Sequence, residues 1–192
     1  IARFLEAVSP LMERPEKLND VMDVYYQEYQ EVHTRMWMDK IGVDDYKQNE
    51  IDLVADLIPL LESSNIDMTI FFRLLSNLEA PDVEQLNFAF YSPEKIPVEK
   101  WNEWLNRWWE CTKGAPNRGK MRGVNPKFVL RNWMAQLAID AAEKGDYTVA
   151  EELHHLLKSP YAEQSEYESK WFQKRPEWAD HRVGCSMLSC SS

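Results

Sequence analysis

Cysteine is scarce in this sequence: Cys111, Cys185 and Cys190 are the only three in 192 residues. Three thiols are too few for the disulfide framework of a small secreted domain, so a reducing compartment is the expectation. The odd number leaves at least one thiol free or paired outside the chain. Long apolar runs are missing as well, and nothing approaches the roughly 20 residues that a membrane span needs. Positive charge is in deficit: 22 Lys and Arg stand against 32 Asp and Glu, giving a net charge of −10. A surface of that sign repels nucleic acid and anionic membranes, so neither is expected as a partner. The chain opens on Ile1 with no leader pattern. It is therefore expected to begin inside a longer polypeptide, with any targeting segment upstream.

Sustained alternation of apolar and polar residues, the mark of a half-buried strand, is not found, nor is a repeat of fixed period. Also missing are the HExxH, CxxC, GxSxG and P-loop spacings that place metal ligands, nucleophiles or phosphate cradles. On residue chemistry alone, the expectation is a chain with no catalytic, cofactor-binding or metal site of its own.

What is present is core material. Apolar residues make up 44% of the chain, with eight Trp, eight Tyr and seven Phe. A chain of this length can bury roughly 70% of its unfolded surface. Leu18, Val21, Met22, Tyr25, Tyr29, Val32 and Met36 step by three and four, predicting a long helix that Gly42 closes. Ile51, Val54, Leu57, Ile58 and Leu61 predict a second, complicated by Pro59. A third, intensely apolar, covers 67–78.

Residues 79–96 read as a proline-bearing connection. A fourth helix follows Pro97 with Trp101, Trp104, Leu105 and Trp108, ended by Gly114 and Pro116. Asn125 and Pro126 look like the N-cap and first turn of a fifth, running to Gly145. Thr148 and Glu151 have capping-box spacing for a sixth, ending before Pro160. The sum is an all-α, irregular helical domain of about six helices over 1–160. A polar, extended C-terminal tail over 161–192 is anchored by Trp171, Phe172, Pro176 and Trp178.

Two features could carry chemistry. Cys190 stands two residues from the C-terminus, where access favours oxidation or exchange. The terminal carboxylate works against it by raising the thiol pKa. The plainer reading is a surface cysteine, and Cys185 could close a small loop with it. The second feature is a basic island. Arg107, Lys113, Arg118, Lys120, Arg122, Lys127 and Arg131 meet only Glu110, so 107–131 carries +6 and the remainder −16. Either it offers an anion or acidic-partner site, or its cations pair with surplus acids nearby. The tryptophans at 101, 104, 108 and 109 fit a core stripe better than a base-stacking platform. His154 and His155 are adjacent, so they diverge on a helix and do not form a metal pair.

Several blocks carry a family resemblance. They are Met38-Asp39-Lys40-Ile41-Gly42, the stretch from Asp67 to Leu75, Trp101 with Trp104 and Leu105, and Met121 to Asn132 (MRGVNPKFVLRN). The ordered series continues with Ala135-Gln136, Gly145-Asp146-Tyr147, Ser159-Pro160-Tyr161, Pro176 to Ala179, and Ser189-Cys190-Ser191-Ser192. Together they resemble the C-terminal third of selenoprotein O, called YdiU in bacteria.

The resemblance implies the C-terminal part of a kinase-like fold. It also implies transfer of AMP from ATP, with Mg or Mn, to Ser, Thr or Tyr hydroxyls of protein substrates. The family's Gly-rich loop, nucleotide-positioning Lys, catalytic Asp and metal-binding Asn and Asp belong upstream, in a kinase-like core that would be this chain's partner. None has a counterpart here. Only Cys190 is carried over, as a redox residue at the position of selenocysteine in animal members. Trp133 departs from the Tyr of many relatives. By the same resemblance a eukaryotic member would be mitochondrial and a bacterial one cytoplasmic. Beside this reading stands a different class, a non-catalytic interaction module that uses the basic segment 107–131.

Overall fold

The computed structural model describes residues 1–12, 17–44 and 48–185. Nine α-helices occur among them: α1 Ala2–Val8, α2 Lys17–Ile41, α3 Gln48–Ser63, α4 Met68–Leu75, α5 Val98–Cys111, α6 Arg118–Val124, α7 Asn132–Ala142, α8 Thr148–Leu157 and α9 Ser165–Trp171. Extended pairing among the described residues is limited to one isolated bridge between Ile66 and Phe90. The all-α expectation holds. Three of the nine helices, α1, α6 and α9, were not among the six expected, because each is only seven residues long. Two turns of helix are too short to show a period.

The core is organised by α5. Trp101, Trp104, Leu105 and Trp108 recur at three- and four-residue steps, so they share one face, and all four are buried. A buried indole needs a partner for its N–H. Trp101 donates to Ser64 Oγ at 2.9 Å, Trp104 to the Leu53 carbonyl at 2.8 Å and Trp108 to the Ile41 carbonyl at 2.8 Å. One helix thereby grips α2 and α3 through backbone acceptors while burying three of the largest side chains. The core-stripe reading holds for Trp101, Trp104 and Trp108, while Trp109 is half-buried against that core. α4 lies against it with Ile70, Phe71, Phe72 and Leu75 buried, its first turn closed by Asp67, which accepts from the Ile70 N–H. α3 runs through Pro59 without ending.

Three local expectations are corrected. Residues 79–96 are more than a loop: Val83–Ala89 is a 3-10 helix that buries Val83, Leu86 and Ala89, and Pro93–Lys95 is another. Asn125 caps the end of α6 and opens no helix; the next helix waits until Asn132. Tertiary bonding wins there, because the N–H groups of Lys127 and Phe128 both donate to the Pro160 carbonyl, at 2.8 and 3.1 Å. Thr148 is not an N-cap either. Asp146 takes that work, accepting from the Thr148 N–H and Oγ1.

The segment beyond Tyr161 folds back on the body. Trp171 and Phe172 are buried, as anchors should be, while Trp178 is largely exposed.

α2 is divided along its length. At about 100° per residue, the seven expected stripe positions fall within an arc of roughly 100°. Yet Val21, Tyr25, Tyr29, Val32 and Met36 are exposed, and only the last turn buries Met38 and Ile41. That last turn ends on Gly42 at φ +69°, with the Val43 N–H bonded to the Met38 carbonyl. An added Cβ would sit 2.6 Å from Met121 Sδ and 3.0 Å from the Asn117 backbone nitrogen. Gly42→Ala is therefore expected to lower stability by about 1–3 kcal/mol through left-handed strain, read as a reduced urea midpoint with unchanged slope.

Candidate functional site

The polar residues withdrawn from water gather at one place, where α4, the end of α2, the irregular stretch 125–131 and the segment after α8 meet. Arg73 is the centre. It is 2% exposed in an otherwise apolar helix, Met-Thr-Ile-Phe-Phe-Arg-Leu-Leu. Its Nη1 donates to the carbonyls of Arg122 and Asn125, and its Nη2 to the Tyr161 carbonyl and to Glu163 Oε1. Only Nε lacks a partner. A guanidinium's fixed fork suits such multi-point bracing.

Lys127, also buried, reaches Glu163 Oε2 at 3.1 Å and Glu168 Oε2 at 2.8 Å. Arg131 makes a two-point contact with Asp67, the residue that caps α4. Asn125, 1% exposed, faces Lys40: its Nδ2 donates to the Lys40 carbonyl at 2.8 Å and its Oδ1 accepts from Lys40 Nζ at 2.8 Å. The same ammonium lies 4.3 Å from the centre of the Phe72 ring. Burial pushes the Lys40 pKa below its usual value.

The carboxylates here are committed to cations, and this limits what the junction can do. Burial alone would push Glu163 up, but the bond from Lys127 and the charges of Arg73 and Lys127 outweigh it and hold its carboxyl below the usual range. Among the described residues, no three of His, Cys, Asp and Glu converge as metal ligands. Asp67 and Glu163, the acids best placed for a divalent ion, already face arginines. Among the described residues, the acids of this junction are thus engaged and do not fit a Mg or Mn ion.

The basic island has been spent on the fold. Arg107 pairs with Asp56, Lys120 with Asp39 and Asp44, Lys127 and Arg131 as described. Arg118 donates to the Leu78 carbonyl and Arg122 to Asn77 Oδ1. Lys113 alone of the seven is exposed with no partner among the described residues. His154 and His155 are both exposed on α8.

Of the thiols, Cys190 lies outside the described residues. Cys185 is free and buried, and Cys111 is free and half-buried. Burial and then the Glu50 charge push the Cys111 thiol up, which makes it a weak nucleophile. Sequence reasoning missed Arg73, Lys40 and Glu163. The available signal was an arginine flanked on both sides by apolar residues in 68–75, since such a charge is rarely buried without partners.

Fold and junction define a class: a helical body tied together by a buried polar junction. The chain belongs to the family of protein adenylyltransferase SelO, whose model matches residues 1–158. It is similar to a protein nucleotidyltransferase YdiU of Flavobacterium johnsoniae, 40% identical over 203 residues that cover 99% of this chain and 39% of the relative. Another YdiU, of Aromatoleum aromaticum, is 41% identical, covering all of this chain and 38% of its own length. A third, of Rhodopirellula baltica, is 37% identical and covered over 40% of its length. The chain thus spans about two fifths of the curated relatives it matches.

Arg73→Met should cost about 1–3 kcal/mol, because it leaves three carbonyls without their donor and takes the cation from the half-exposed Glu163. Glu163→Gln, at a half-exposed position, should cost about 1.5–3 kcal/mol. The folded-state pKa of Glu163 lies below its ordinary 4.5. Its contribution is thus fully present above that pH and fades as pH falls through the lowered value. Urea titrations of the native and Glu163→Gln chains should differ by the same amount throughout the neutral range, and the difference should shrink as pH falls below 4.5 and through the lowered value.

Proposed function

We propose that this chain is the helical C-terminal part of a protein adenylyltransferase, one that moves AMP from ATP to Ser, Thr or Tyr hydroxyls of other proteins. On this reading, ATP and its Mg or Mn ion bind to the kinase-like core that precedes it. The chain itself buttresses that core and carries a redox-sensitive tail. Family membership and the two-fifths coverage of the relatives support it.

The observation that carries it is the uncovered face of α2. Val21, Tyr25, Tyr29, Val32 and Met36 stand in water on a helix whose other end is built into the core. Tyr25, Tyr29 and His33 stack along that helix toward Trp37, with neighbouring ring centres 5.7 to 6.3 Å apart. Such a strip resembles one half of an interface more than a solvated surface. The other reading, an interaction module built on 107–131, has less support, since six of its seven cations are engaged inside the chain.

The decisive assay follows ATP labelled in the α-phosphate. Residues 1–192 alone should neither consume it nor label protein with AMP, and the full-length protein should do both. Labelling by the short chain unaided would overturn the buttress reading.

The redox part concerns Cys190. Oxidation by a peroxide would join its sulfur to that of a cysteine in the core, with loss of two protons and two electrons, and reduce the peroxide to water or alcohol. Peptide mass spectrometry of the oxidised full-length protein should find that crosslink, absent after reduction. A Cys190 thiol that remains free under oxidant defeats this part alone.

A further inference from the structure

A groove runs beside the last two turns of α2, walled by Val32, Met36, Trp37, Met68 and Val124, with Lys40 at its inner end. Its volume is about 460 Å³, within the roughly 300–1,000 Å³ of ligand clefts. A smaller pocket of about 160 Å³, floored by Phe72 and Asn125, shares Lys40 and Met68 as walls.

Lys40 differs from every other cation of the junction. Arg73, Lys127, Arg131 and Lys120 each meet a carboxylate. Lys40 is half-buried and drawn against Phe72, and its one side-chain hydrogen bond is to a neutral amide. An ammonium has three N–H donors, so two remain for another acceptor. A charge withdrawn from water without a counter-ion is costly unless something else supplies the anion.

From this we infer that the groove seats an apolar segment bearing an Asp or Glu, contributed by the part of the same polypeptide that precedes this chain, with the carboxylate meeting Lys40. The inference rests on the buttress reading and gives it a contact point. Three features select that occupant. The walls are apolar except for Lys40, the exposed Arg35 and an Asp39 already held by Lys120, so the guest is largely apolar and carries negative charge. Val32 and Met36 belong both to the groove and to the uncovered face of α2, so one partner covers both. The relatives carry about three fifths of their length beyond the matched region, enough to supply it.

The test is carbodiimide coupling, which joins an ammonium to a carboxylate only when the two touch. The full-length protein, prepared as an equal mixture of ordinary and 15N-labelled copies, is coupled, digested and sequenced by mass spectrometry. The expected product is an amide between Lys40 and an Asp or Glu upstream of Ile1, within one copy, and lost in Lys40→Gln. In parallel, nitration of Tyr25 and Tyr29 by tetranitromethane reports whether the α2 face is covered.

Protected tyrosines with a Lys40 that reacts freely with acetic anhydride and gives no such amide would overturn the groove assignment and leave the buttress standing. Nitrated tyrosines together with a free Lys40 would overturn both. A Lys40 amide to a second copy, or to an acid within residues 1–192, would also overturn the assignment by naming a different counter-ion.

Discussion

The fold depends on one buried guanidinium. Arg73 projects from α4 to where the carbonyls of Arg122, Asn125 and Tyr161 converge, and it answers all three and a carboxylate at once. Backbone groups in irregular stretches have no ladder to satisfy them, so a molecule with so much non-helical connection needs a donor of this reach. Lysine would not serve, since its three donors radiate from a single nitrogen and cannot span carbonyls on separate segments. The charge left over is balanced at the surface by Glu163, which also holds Lys127. A half-exposed acid thereby compensates two buried cations and keeps part of its own hydration, avoiding the full cost of a dry ion pair.

This bracing explains why 125–131 is not helical. Helix propensity and the Asn-Pro start favour a helix there, at a few tenths to about one kcal/mol per residue. Against that stand hydrogen bonds from Lys127 and Phe128 to Pro160, the Arg73 bond to Asn125, and both Asn125 side-chain bonds to Lys40. Several buried polar contacts outweigh local preference. The outcome is a stretch that holds the end of α2, where Lys40 lies 85 residues before Asn125, and also the segment beyond α8.

Much of the fold was legible because its helices are long and one-sided. The Trp101, Trp104, Trp108 stripe and the Gly42 closure follow from spacing and from a position that tolerates no Cβ. Helices of two turns were not legible, since seven residues show no period. The site was less legible still. A basic island and a buried bracing network have the same composition, and only geometry shows that Arg118 turns to a carbonyl or that Lys120 turns to Asp44. Asn125 illustrates the limit: the residue types that cap helices are also those that fill buried polar junctions, and the sequence distinguishes neither role. The stripe on α2 was read correctly as a stripe, but periodicity reports which face is apolar and says nothing of what covers it.

That uncovered face has an energetic consequence. Fully burying a valine, methionine or aromatic side chain contributes about 1.5–3 kcal/mol relative to leaving it in water. Five such residues on α2, each already about half-buried, leave a gross gain on the order of 5 kcal/mol that the chain alone forgoes. A separate partner must first offset at least several kcal/mol of lost translational and rotational freedom before any gain shows. A partner in the same polypeptide meets most of that cost through its tether, as an effective concentration. The asymmetry of α2, with one end built into the core by Trp108 and Asn125 and the other left standing, is what a helix at a seam within one longer chain requires. On the proposed buttress reading, the built-in end fixes its direction and the free end gains its stability when the preceding part of the protein closes over it.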